Sequence, residues 1–126
     1  MSGTLYVIGT GPGSPEQMTP EALNAVSKAT EFFGYFPYLD RLSLRGDQKK
    51  IASDNREELD RASAALTRAA AGVDVGVVSG GDPGVFAMAA AVCEAIDKGP
   101  AEWRDIEVVV TPGVTAMLAV AARAGA

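Results

Sequence analysis

A chain of 126 residues, 48% hydrophobic and 21% charged, has enough apolar surface for the core of one domain and is too short for two ordinary ones. Its formal charge of -5 disfavours nucleic acid as a partner, and the absence of histidine removes the commonest general base and zinc ligand, which a single cysteine does not replace. No apolar run approaches the ~20 residues of a membrane span, and Met1-Ser2-Gly3-Thr4 lacks the basic and apolar segments of a leader, so a cytoplasmic protein with no membrane partner is expected.

Thr4-Leu5-Tyr6-Val7-Ile8-Gly9 is a short apolar run closed by glycine, the pattern of a strand buried on both faces of a parallel sheet. After a glycine turn, Thr19-Pro20 supplies a capping hydroxyl and a first-turn proline, and Ala22, Leu23, Val26 and Ala29 recur on one helical face. Glu31-Phe32-Phe33-Gly34 reads as a second strand, passing into an aromatic loop of Tyr35, Phe36, Pro37 and Tyr38. Arg41, Arg45, Lys49 and Lys50 form a modest basic cluster, read as a solvated surface loop.

Asp54-Asn55-Arg56-Glu57 has capping-box spacing, and Leu59, Ala62, Leu66 and Ala69 continue an apolar stripe to a stop at Gly72. Val73 to Ser79 reads as a third strand, Val85 to Lys98 as a helix ended by Gly99-Pro100, and Ile106 to Val110 as a fourth strand. Cys93, among Met88, Ala89, Val92 and Ile96, is expected as a buried core thiol in a reducing compartment. The alternation predicts an α/β fold, a mostly parallel sheet with helices on both faces. The alanine-rich segment from Val114 to Ala121 reads as a last helix, and its lack of a terminal cap leads us to expect a fragment boundary near Ala126.

Three glycine-proline turns, Gly9 to Gly13, Gly80 to Gly84 and Pro112-Gly113, fall at the carboxyl ends of predicted strands, where open parallel sheets bind ligands. Glycine lets backbone approach a ligand closely and proline stiffens the loop, so the turns predict one rigid wall of a small-molecule cleft. The first turn is not a dinucleotide fingerprint, because Ser14-Pro15 follows and the helix signal begins only near Thr19. A phosphate-cradling G-x-x-x-x-G-K-[ST] motif is absent. Asp82 has two readings: with Pro83 it forms a favourable cap for the following helix, and next to Gly80-Gly81 it also suits ordering a ligand loop.

The order of these segments carries more information than any one of them. Val7-Ile8-Gly9-Thr10-Gly11-Pro12-Gly13, then Gly34-Tyr35 with Tyr38-Leu39, then Gly80-Gly81-Asp82-Pro83, then Pro112-Gly113-Val114-Thr115-Ala116 resembles the S-adenosylmethionine-dependent tetrapyrrole methylases. Ser79 to Ala89, with the two tyrosine pairs, is most similar to the branch that methylates precorrin-3B at C17 in cobalamin biosynthesis, with contraction of the macrocycle.

The resemblance implies a two-domain fold with methyl donor and tetrapyrrole held between the domains, of which this sequence matches the N-terminal one, without the C-terminal one. It implies Pro12, Gly80, Gly81, Asp82, Val85, Thr115 and Ala116 around S-adenosylmethionine, and Gly11, Gly13, Tyr35 and Tyr38 towards the tetrapyrrole. Some uroporphyrinogen methylases of the family carry an acid where Tyr35 stands, so no proton-acceptor role is carried over. A sulfonium methyl is already activated, which suits a site with no metal and no histidine. A homodimer of the full enzyme is a further implication. The alternatives are a methylase of the same fold acting on another precorrin position, on ribosomal RNA or on a protein, or a fragment that acts only as a binding module.

Overall fold

The computed structural model describes residues 2–10, 18–53, 58–80 and 82–111. Strands β1 (Thr4–Gly9), β2 (Glu31–Tyr35), β3 (Lys49–Ser53), β4 (Val75–Ser79) and β5 (Glu107–Thr111) form one sheet in the order β3-β2-β4-β1-β5. Every pairing is parallel, with Val7 opposite Val77 on one side and Val110 on the other. Helices α1 (Pro20–Lys28), α2 (Phe36–Asp40), α3 (Glu58–Ala70) and α4 (Asp82–Lys98) run between the strands. The expected parallel α/β architecture is the one that forms.

Side chains alternate across a strand, so the inner strands β1, β2 and β4 feed two cores. Leu5, Val7, Phe33, Val75 and Val77 pack with Ala62, Leu66, Val85, Met88 and Val92 of α3 and α4 on one face. Ile8, Phe32 and Val78 pack with Ala22, Ala25 and Leu39 of α1 and α2 on the other. The central strand β4 is buried at every position, which accounts for its valine-rich composition.

Helix α1 starts where Thr19-Pro20 predicts: the Thr19 hydroxyl accepts the Ala22 N–H at 3.1 Å, and Pro20 occupies the first turn. Its buried side is Ala22 and Ala25, while Leu23, assigned to the apolar stripe, is 49% exposed. Leu59 is likewise 40% exposed, because α3 turns Arg61, Ala62, Ala65, Leu66 and Ala69 inward instead. The capping box at 54–57 and the predicted last helix lie outside the described residues. Gly72, at φ 101°, supplies the left-handed turn after α3.

Three expectations are corrected. The aromatic segment is not a loop: Phe36–Asp40 forms a short helix with Pro37 in its first turn, where the missing amide costs nothing. The basic cluster is not one surface patch, because Lys49 and Lys50 begin the edge strand β3, held where Gln48 Nε2 donates to the Val26 and Ala29 carbonyls. There Lys50 Nζ donates to the Leu42 carbonyl, Arg45 pairs with Asp47 and Arg41 lies over the Tyr38 ring, so three of the four charges point to separate partners. Cys93 is exposed, because the face of α4 that meets the core carries Val85, Met88, Val92 and Ala95, and Cys93 turns outward beside Glu94.

Candidate functional site

In a parallel sheet all carboxyl ends lie along one edge, and here that edge carries Ser53, Tyr35, Ser79, Gly9 and Thr111 in spatial order. β1 and β4 are neighbours, yet β1 leads to α1 on one face and β4 leads to α4 on the other. Chains leaving adjacent strands towards opposite faces open a crevice between them, the position where such sheets bind ligands. The first two glycine turns leave from the two sides of that crevice.

The turns are tied together at their roots. The backbone N–H and the hydroxyl of Thr10 both donate to the Ser79 carbonyl at 2.9 Å, and the hydroxyl lies 3.4 Å from the Gly80 carbonyl. Thr10 and Ser79 are both buried, so these bonds are made away from competing water. The Ser79 hydroxyl itself is buried without a hydrogen-bond partner among the described residues.

Two glycines make this packing possible. A β-carbon at Gly9 would stand 2.8 Å from Cγ2 of Val85, so Val85, fully buried, packs directly against Gly9 at the end of β1. A β-carbon at Gly80 would stand 2.7 Å from Cε1 of Tyr38. Tyr38 meets Tyr35 edge-on at 5.6 Å between ring centroids, and Tyr35 meets Phe36 at 5.1 Å. A row of aromatic rings therefore runs from the Gly80 turn along the ends of β2 and β3.

Beside that row lies a cleft of about 400 Å³ lined by Tyr35, Phe36, Ala52 and Ser53. A groove of about 460 Å³ between β3 and α3 is larger, but it is an open surface lined by Phe33, Ile51 and the Glu31–Arg68 ion pair, away from the glycine turns. In that pair Arg68 donates to both carboxylate oxygens of Glu31 at 2.8 and 2.9 Å, and these bonds hold the Glu31 carboxyl below its usual pKa. The pair ties α3 to β2 and contributes nothing to the crevice.

Of the residues singled out from sequence, Gly80, Tyr38 and Tyr35 come together at the end of β4, and Val85 packs against Gly9. Asp82 opens α4; its side chain, together with Gly11, Pro12, Gly13, Gly81, Thr115 and Ala116, lies outside the described residues. Sequence reasoning passed over Thr10, Ser53 and Arg61. Thr10 had a signal, a hydroxyl residue between two glycines at a strand end, whereas Arg61 had none, because an arginine beside an apolar stripe ordinarily faces solvent.

The description of the tetrapyrrole (corrin/porphyrin) methylases matches residues 4–126. The chain belongs to that family. It is 79% identical over all 126 residues to a precorrin-3B C(17)-methyltransferase from Sinorhizobium sp, of which it covers 50%. The crystal structure of the methyltransferase CobJ superposes with a TM-score of 0.82 at 50% identity, over 99% of this chain and 52% of that one. Uroporphyrin-III C-methyl transferase from Thermus thermophilus, solved in complex with S-adenyl homocysteine, superposes with a TM-score of 0.63 at 27% identity, over 94% of this chain and 48% of that one. The chain thus spans about half the length of the relatives it matches. Among the described residues, no helix is long and apolar enough to cross a membrane.

Proposed function

We propose that this chain forms the N-terminal half of a precorrin-3B C17-methyltransferase, an enzyme of cobalamin biosynthesis that transfers a methyl group from S-adenosylmethionine to C17 of the macrocycle as the ring contracts. The observation that carries the proposal is 79% identity along the whole of the chain to an enzyme of that name. The crevice between β1 and β4 supports it, since methyl transfer asks chiefly that two bound molecules be held in line.

The residues fit a methyl donor. The Ser79 hydroxyl is buried without a hydrogen-bond partner among the described residues, and Thr10 beside it adds a second neutral hydroxyl, so the crevice offers polar atoms without a charge. In this reading Pro12, Gly80, Gly81, Asp82, Thr115 and Ala116 surround S-adenosylmethionine, with Val85 supporting them from below. Gly11, Gly13, Tyr35 and Tyr38 face the tetrapyrrole. The bound sulfonium supplies an already activated methyl group; the task of this chain is to orient and to exclude water. A C-terminal domain supplies the opposite wall, and the full enzyme works in the cytoplasm as a homodimer.

The test uses the complete protein with precorrin-3B and methyl-labelled S-adenosylmethionine, followed by NMR of the product. Label at C17 of a contracted ring is expected. Label at another carbon, or turnover only with the cobalt-containing macrocycle, would replace this assignment by another methylase of the same fold.

A further inference from the structure

Strand β3 closes one end of the sheet and pairs only with β2 among the described strands. Four of its five residues are exposed, Ile51 to 38%, and an open edge of this kind is a template for another strand. Lys49, Ile51 and Ser53 point to the α3 face, where Ile51 joins Phe33 and Ala64 along the groove of about 460 Å³. Lys50 and Ala52 point to the other face, where Lys50 reaches the Leu42 carbonyl.

Symmetry restricts how two such edges can join. A two-fold axis perpendicular to the sheet makes the two strands antiparallel and keeps both α3 helices on one face. Opposed residues of an antiparallel pair point to the same side, so the axis must pass between one residue and its own copy. Centring on Lys49 or Lys50 would oppose two ammonium groups, and centring on Ala52 or Ser53 would leave the lysine end of each strand without a partner. Centring on Ile51 sets Ile51 against its copy, Lys50 against Ala52 and Lys49 against Ser53, so the whole strand pairs and no like charges are opposed. Both ammonium groups are already drawn back into their own chain, Lys49 beside Glu31 in the β2 register and Lys50 at the Leu42 carbonyl.

We propose that β3 is the edge through which two copies of this chain associate, antiparallel and in register about Ile51, joining two five-stranded sheets into one. The two apolar grooves then lie side by side on the α3 face and add buried surface to the backbone bonds. A second copy fits this edge better than the C-terminal half of the relatives does. The chain continues from β5, the opposite edge, roughly 19 Å away at ~4.8 Å per strand, and the crevice that the other half would close lies at the carboxyl ends of the strands. The interface deepens the function proposed above, resting on its homodimer and not on its chemistry.

The complete protein is examined by sedimentation and by thiol crosslinking, neither of which uses substrate, so a failure of C17 methylation is read separately. The parent should sediment as a dimer. Ile51→Asp opposes two carboxylates across the axis and should raise the dimer Kd about tenfold or more, with a melting curve that shows it folded. Ile51→Cys, with Cys93→Ser, should be joined to its copy by a short bifunctional thiol reagent, because opposed β-carbons stand only ~4.5–5.5 Å apart, and peptide mass spectrometry should place the link at position 51 in both chains. Should Ile51→Asp fail to fold, the crosslink alone decides. A parent dimer that gives no link at position 51 and survives Ile51→Asp would put the interface elsewhere and overturn the proposal while leaving the homodimer. A monomeric parent would overturn both, and slow maleimide labelling of Ile51→Cys in that monomer would show the edge covered by the C-terminal half instead.

Discussion

Gly80 packs directly against the ring of Tyr38: a β-carbon built on Gly80 would stand 2.7 Å from Cε1 and 2.8 Å from Cζ. The two residues were assigned to different ligands, one to the methyl donor and one to the macrocycle, and their contact makes the two assignments interdependent. Gly80→Ala must push the tyrosine ring aside, and that ring is already edge-on to Tyr35 and capped by Arg41. In the complete protein, Gly80→Ala should cost ~1–3 kcal/mol of stability, the usual range for overpacking. It should also weaken cofactor and tetrapyrrole binding together. Tyr38→Ala in the same chain should recover part of the stability, and a double-mutant cycle with no coupling between the two sites would show that the contact is slack.

Thr10→Val keeps the shape of the side chain and removes its hydroxyl from the Ser79 carbonyl. The Thr10 N–H still reaches that carbonyl, so the loss should be about 1 kcal/mol, seen as a melting temperature lower by a few degrees. Since the bond joins the roots of two turns that flank the crevice, KM for S-adenosylmethionine should rise as well. Thr10→Ser should behave as the parent in both measurements. A valine variant that melts lower yet keeps its KM would limit Thr10 to stability.

Asp82→Ala separates the two roles read for that residue. We expect cofactor affinity in the complete protein to fall by more than about tenfold while the melting temperature stays within about a degree of the parent. A drop of a few degrees with unchanged affinity, as loss of ~0.5–2 kcal/mol of helix capping would give, would assign Asp82 to the helix cap.

The Glu31–Arg68 pair predicts a pH dependence with a definite sign. Hydrogen bonds from Arg68 lower the Glu31 pKa in the folded state, so their stabilisation is fully present above the ordinary glutamate value of 4.5 and disappears as pH falls through the lowered value. Arg68 is about half exposed, which keeps the effect small and sensitive to salt. Urea titrations between pH 3 and pH 6 should show a shallower acid loss of stability for Glu31→Gln than for the parent. Identical slopes would mean that the pair contributes nothing in solution.

The exposed thiol of Cys93 should be alkylated by iodoacetamide in the native protein without added denaturant. Reaction only after unfolding would return Cys93 to the interior.

Buried strands were legible in the sequence because burial on both faces demands the unbroken runs Leu5 to Ile8 and Val75 to Val78. The edge strand β3 was not, because Lys49-Lys50-Ile51-Ala52-Ser53 has one partner and four exposed positions, so nothing selects an apolar pattern. Periodicity places Leu23, Leu59 and Cys93 inside by their chemistry, but the buried stripes run through Ala22 and Ala25 in α1, Arg61, Ala62, Ala65, Leu66 and Ala69 in α3, and Val85, Met88, Val92 and Ala95 in α4, and leave those three facing outward. For the site, the glycine turns and tyrosines stood out in sequence. The residues that join them, Thr10 to Ser79 and Arg61 to Ser53, did not, because each pairing links strands or helices whose adjacency exists only in the folded chain.

The central position of β4 also sets a timetable. β1 finds its partners at residues 75–79 and 107–111, and β2 has β4 on its inner side, so residues 4–35 wait unpaired on that side until the ribosome has released the chain past Ser79. Loop closure over such separations makes parallel sheets slow to form and leaves Phe32, Phe33 and the Leu5–Ile8 run exposed in the meantime. A chain halted between β3 and β4 would therefore display apolar strands with no partner on that side, and nascent chains of that length are where a chaperone would be expected to bind.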